Sequence, residues 1–388
     1  MDRFSASLWT LLLWVYCACC TAQYNLSVVW LDFPPCSTLA SMVNSFSATN
    51  PRYADVRVNV HCVSGGLWHS STFDALHSDT GEDIALMDSQ FMGEAVEDDL
   101  VVELTDVINS VELGAFDFYP QALASYGEYP VNSGRFYGLP FQGDTHFLVY
   151  RKSAYLNAGR ELPINLGELM EDVKYFSNRS ASGWQHGFST FWASAYDETP
   201  VIFNNFAWMF GGELWDPTTY RIKGVVDSPE NANAMDYVRD LFNAGSRNPE
   251  NGFGGALGEF CGGQSPLLLI WMTFAPAFKS LAGCNTVAGG FNLSDIGFYT
   301  IPPNDKTNIH ALTLGGMGLS INKRSAHPEA ALDLVKYLSG RKFQASWAIA
   351  DMFTIRVSVT ANPRYLEDDQ GYLKAANAVF MQSFPLTR

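Results

Sequence analysis

The sequence is short of basic residues and histidine, and it lacks any catalytic signature. Lysine and arginine total 24 against 40 aspartates and glutamates, a formal charge of −16. An acidic excess of this size is a poor match to nucleic acid or an anionic membrane surface, so no nucleic-acid partner is expected. Gly-x-Ser-x-Gly, His-Glu-x-x-His and P-loop patterns are all missing. The seven histidines form no metal-spaced cluster, and no Cys-x-x-Cys occurs among the cysteines after residue 22. Neither a metal nor any other cofactor is therefore expected, and catalysis is not. Paired acids leave a glycoside hydrolase as the enzymatic alternative. No apolar run after residue 22 approaches the ~20 residues of a membrane span; SPLLLIWM has the length and the Gly and Pro flanks of a buried strand.

What is present suits a well-packed globular protein: 47% of residues are hydrophobic and 14% aromatic. At 388 residues the chain is too long for one ordinary core, so two lobes are expected. The N-terminus has Arg3, an apolar run from Leu8 to Ala18, and small residues at Cys20-Thr21-Ala22. This reads as a signal peptide over 1–22, cleaved after Ala22, with an uncleaved anchor as the alternative. Export places the mature chain in a periplasmic, extracellular or lumenal compartment. Four cysteines remain, Cys36, Cys62, Cys261 and Cys284, an even number in an exported chain. Three pairings are possible, and the local one, Cys36–Cys62 with Cys261–Cys284, is preferred. Sequons at Asn25, Asn178 and Asn292 would allow glycosylation in a eukaryotic host.

After Ala22 the pattern alternates strand and helix. NLSVVWL, DVRVNVHC and DIALMD read as strands, with helical spacing over 36–48 and 67–77 between them. That alternation implies an α/β fold with a parallel sheet, whose ligands bind off the carboxyl ends of the strands. The first strand ends at Asp32 and the third at Asp88, each readable as a helix cap or as a ligand contact. Later segments are richer in helix: 165–178, 201–216, a start at Ser228-Pro229 and another at His327-Pro328. Between them lie strands at 265–272, 296–303 and 312–323.

Six segments in this order carry a resemblance: GEDIALMDSQFMGEAVEDDLVVEL, GRFYGLPFQGDTHFLVYRKSAY, NNFAWMFGGELWD, VDSPENANAMDYVRDLF, GGMGLSINKRSAHPEAALDLVKYLSG and RVSVTANPRY. Together they resemble the extracellular solute-binding proteins of ABC importers, in the maltose/trehalose-type branch, over about residues 25–368. The resemblance implies a two-lobed periplasmic-binding-protein-like (type II) fold with a cleft between the lobes and a multi-segment hinge, expected around Phe147–Tyr150 and at two later crossings near Gly289-Gly290 and Asn322-Lys323. It implies an N-terminal lobe over 23–145, a C-terminal lobe over 146–289, a return over 290–323, and C-terminal-lobe helices over 324–388. FYGLPF would leave the first lobe and HFLVYR enter the second, which puts the QGD turn, and Asp144, at the lip of the cleft.

The resemblance also implies the function: capture of a small polar solute, a mono- or oligosaccharide, by a monomer that delivers it to an ABC permease. A sensor ectodomain attached to a signalling domain is the alternative. Sugars offer hydroxyl edges and C–H faces, so acids and aromatic plates suit them. The resemblance implies contacts at Asp144, Gly315, Gly316, Trp271 and Arg356, the last with a surface or inter-lobe salt bridge as its alternative; Asp32 and Asp88 join them from the strand ends, and Trp208 and Trp192 are further aromatic candidates with a core role as the alternative. Where relatives typically carry a tryptophan after the paired glycines, this chain has Met317. The chain stops at Arg388, after an expected helix at 373–381, earlier than relatives do.

Overall fold

The computed structural model describes residues 24–194, 198–275, 278, 293–363 and 383–385. The signal segment, Cys284, Gly289-Gly290 and the 373–381 helix lie outside the described residues. Strand β1 (Asn25–Leu31) pairs in parallel with β2 (Arg57–Val63) and with β3 (Ile84–Asp88). The helix after β1 opens at Pro34, earlier than the spacing suggests, because proline suits the first helical turn. The Cys36–Cys62 disulfide ties that helix to the end of β2, with its Cα atoms 6.0 Å apart. Cys261 is also disulfide-bonded.

The first sheet is mixed rather than parallel throughout. Beside β3 lies β7 (Leu312–Ile321), antiparallel to it, and beside β7 the first half of β4 (Leu139–Arg151). A short β8 (Ser383–Pro385) pairs with the start of β7. The second half of β4 belongs to another sheet, with β5 (Leu267–Trp271) and β6 (Ile296–Tyr299) on its two edges. FYGLPF and HFLVYR are thus not two strands joined by a turn. One continuous strand of 13 residues changes partners between Thr145 and His146. All but Tyr150 of that strand is buried, so a turn would have cost paired main-chain groups in a dry environment. The return crossing lies between Tyr299 of β6 and Leu312 of β7, while Asn322 and Lys323 bond to Asp83 and Leu100 within the first lobe.

Helices Leu166–Ser177, Glu198–Met209, Pro229–Ala244 and Phe253–Cys261 surround the second sheet. Ser228 caps the third of them by accepting from Asn231 N, as its Ser-Pro start suggests. The helices expected to return to the second lobe pack on the first instead. In Pro328–Ser339, Asp333 accepts from Tyr53 Oη at 2.7 Å, Tyr337 Oη bonds Ser45, and Ser339 Oγ donates to Pro140 O. The next helix, Arg341–Ile349, places Trp347 against Trp30 and Phe141 and donates its indole N–H to Gln142. The apolar face Ala331, Leu334, Val335 and Leu338 finds its matching surface on β4 and β7, and burial of that face decides which lobe the helix joins. No helix of the described residues is long and apolar enough to cross a membrane.

Candidate functional site

Strand register gathers the site. Asp88 closes β3 opposite Met317, and Asp144 in β4 sits opposite Gly315. Three adjacent strands therefore present two carboxylates and a glycine pair at one level. The glycines are required there. A Cβ on Gly315 would stand 2.7 Å from the Trp271 ring. Gly316 has φ +114°, and its Cβ would stand 2.3 Å from Gln142 O. Trp271 ends β5 and is held from beneath by His146, ring centroids 3.7 Å apart.

These residues surround a cavity of about 500 Å³. The first lobe contributes Asp32, Phe33, Gly65, Gly66, Asp88 and the Gly315–Met317 run. The second contributes Glu198, Phe253, Trp271, Thr273 and Phe274, and Asp144 stands where β4 passes from one to the other. The walls are aromatic: Phe253 stacks on Phe274 at 5.4 Å, and Phe33 meets the Trp30 edge at 5.0 Å.

Burial dominates the electrostatics. Asp144 is 5% exposed, and desolvation holds its carboxyl well above the usual carboxylate range, with Asp88 adding to the shift. Main-chain N–H groups of Thr145 (2.9 Å) and Thr273 (3.2 Å) pull the other way. Tyr126, beneath the glycines, donates to Gly315 O, and burial beside Asp144 and Asp88 raises its hydroxyl. His146 accepts from Asn205 Nδ2 at 2.7 Å on Nδ1, and burial pushes it down to about 3, so it is neutral. Glu198 opens the helix Glu198–Met209, and burial pushes it up to about 7. Its Oε2, like Thr273 Oγ1, has no hydrogen-bond partner among the described residues.

Asp32, Asp88, Asp144, Trp271, Gly315, Gly316 and Met317 are brought together; two other expected contacts are not. Arg356 is 2% exposed and points away from the cleft. Its guanidinium donates to the carbonyls of Ser339, Leu113 and Gly114 and lies 3.8 Å from the Phe118 ring centroid. It edges a different depression, about 590 Å³, on the surface of the first lobe alone. A guanidinium has five donors, and three main-chain carbonyls are what it serves here, of which Gly114 O also accepts from Asp117 N. Trp208 is buried in the second-lobe core, as is Trp192, which packs edge-on against Phe242. Sequence reasoning missed Glu198, Phe33, Phe253, Thr273 and Phe274. Glu198 had only the ordinary signal of an acid in a first helical turn. Thr273 and Phe274 stand two and three residues after Trp271, and that spacing was available.

Among the described residues no group of three His, Cys, Asp or Glu side chains is placed to hold a metal. The arrangement can clamp a flat, polar, uncharged or cationic molecule between aromatic faces and carboxylates drawn from both lobes.

Known proteins match this architecture. A ribitol-bound ABC transporter solute-binding protein from Agrobacterium radiobacter K84 superposes with TM-score 0.76 at 24% identity, covering 92% of this chain and 86% of that one. The GacH receptor of Streptomyces glaucescens, solved unliganded and with acarbose, gives 0.77 at 19% identity over 93% and 87%. Maltose-bound MalE3 of T. maritima gives 0.74 at 22% identity over 93% and 88%. The family model of the bacterial extracellular solute-binding proteins matches residues 42–345. The chain thus belongs to the bacterial extracellular solute-binding protein family.

Proposed function

We propose that the chain is exported by its N-terminal signal and captures a mono- or oligosaccharide in the cleft, for delivery to an ABC importer. One observation carries the reading: aromatic plates and buried carboxylates converge on one cavity from both lobes. A pyranose fits such a site, its C–H face on Trp271 and its hydroxyls on Asp88 and Asp144. Solutes on sugar- and polyol-bound relatives of the same fold support the same class. The lobes joined by β4 and the Tyr299–Leu312 crossing would close on the solute. A ligand bridging both lobes binds the closed form better and shifts the population towards it. The chain is a binder in this account, not an enzyme.

A thermal-unfolding screen of the mature chain, disulfides intact, against sugars, polyols, amino acids, betaines and short peptides tests this. A ligand at 100 times its Kd adds about 2.7 kcal/mol of stability, well within reach of a melt. The expected result is a shift with one saccharide class that Asp144→Asn abolishes. A cooperative melt that no saccharide moves would remove the reading.

A further inference from the structure

Among the described residues, the cleft is lined by four acidic side chains, Asp32, Asp88, Asp144 and Glu198, and by no lysine, arginine or histidine. Hydroxyls of a neutral sugar donate and accept, and a site built for them alone gains from donors as well as acceptors. This site is weighted to acceptors. The donors that Asp144 has among the described residues include the neutral main-chain N–H groups of Thr145, Thr273 and Met272. Glu198 adds an independent observation. It is 93% removed from solvent, lines the cavity, and leaves Oε2 without a hydrogen-bond partner among the described residues. A buried carboxylate oxygen of that kind has an unmet demand for a donor, most strongly for a charged one. Beside it stand Phe253, Phe274 and Trp271, whose ring faces attract cations as well as C–H groups.

We propose that the solute is a saccharide bearing a protonated amine, with its ammonium directed to Glu198 and its ring against the aromatic wall. The proposal rests on the saccharide reading and narrows it. An ammonium supplies three donors and the counter-charge that the lining lacks. Neutral sugars would meet the same wall and the same Asp88 and Asp144, but would bring no charge to Glu198.

Paired titrations test this on the mature chain at neutral pH and low ionic strength. Each neutral sugar is measured against its amino counterpart: D-glucose and D-glucosamine, D-galactose and D-galactosamine, D-mannose and D-mannosamine, cellobiose and deacetylated chitobiose. In at least one pair the amino member is expected to bind tighter by about tenfold or more, about 1.4 kcal/mol. Added salt should weaken that member selectively, and Glu198→Gln should bring the ratio within the pair towards one. If Glu198→Gln does not fold, the salt dependence of the unmodified protein still decides. Neutral members binding equally or better in every pair would overturn the inference and leave the saccharide reading standing. So would a preference for the amine that neither salt nor Glu198→Gln alters. Failure of every member of every pair to bind would overturn both.

Discussion

Replacing Gly315 with alanine tests the geometry of the cleft without removing any polar group. The added Cβ would stand 2.7 and 2.8 Å from two carbons of the Trp271 ring. Carbon atoms settle at about 3.5–4.0 Å, so the indole must retreat by roughly 1 Å. His146 already packs on it at 3.7 Å between centroids, which limits where it can go. Overpacking of this kind costs about 1–3 kcal/mol of stability, readable as a lower urea midpoint at unchanged slope. The displaced plate should forfeit a stacking contact worth about 0.5–1.5 kcal/mol, weakening the tightest-binding saccharide by about 2- to 13-fold. Calorimetric titration measures the second effect. Trp271→Ala should weaken binding too, and adding Gly315→Ala to it should cost little more, because both changes remove one contact. A folded Gly315→Ala protein, destabilised as expected but binding within about twofold of the original, would show that Trp271 is not a wall for the solute.

Further consequences concern stability. Arg356→Met should cost several kcal/mol, on the order of 3, by removing its hydrogen bonds to the buried carbonyls of Leu113 and Ser339 and to Gly114 O, which keeps only Asp117 N, while solute affinity of the folded variant holds; a selective loss of affinity would return Arg356 to the cleft. His146, held down to about 3 against an ordinary value of 6.5, stays neutral in the fold while the unfolded chain takes up a proton below about pH 6.5. Its contribution is therefore complete above that pH and is lost by about 1.4 kcal/mol per unit as pH falls towards 3. The stability difference between His146→Gln and the original should close by about 2 kcal/mol between pH 6.5 and 5 in denaturant melts; parallel profiles would refute the assignment. Glu198 runs the other way. Raised to about 7 from 4.5, it destabilises the fold fully above pH 7 and less as pH falls towards 4.5, so Glu198→Gln should stabilise alkaline samples more than acidic ones. Replacing Cys36 and Cys62 together with serine should cost roughly 3 kcal/mol by the chain-entropy account of a 26-residue separation; an unchanged melt would show the bridge is not formed in solution.

Much of the site was legible because it is made by strand ends and by register. Asp32 and Asp88 terminate buried strands, and a Gly-Gly-Met run in a neighbouring strand leaves space only a backbone can fill. Asp144 was legible as a carboxylate inside an apolar stretch, but its setting was not. The residues Gln-Gly-Asp suggest a turn, and only the change of pairing partner along β4 explains why no turn forms. Arg356 illustrates the opposite case. A basic residue at a position implied by resemblance says nothing about which acceptors it will meet, and three carbonyls in the first lobe claimed it. Glu198 and Phe253 lie far apart in sequence and in ordinary helical contexts; their meeting depends on how two helices pack, which periodicity does not encode. The same limit applies to the helix Pro328–Ser339, whose amphipathic face was readable but whose partner sheet was not.

A crystal structure of the mature protein with its tightest-binding saccharide would show where the solute sits. One molecule should occupy the 500 Å³ cavity, with a ring face on Trp271 and polar groups within hydrogen-bond distance of Asp88 and Asp144. A saccharide bound elsewhere, with this cavity holding only water, would contradict that placement.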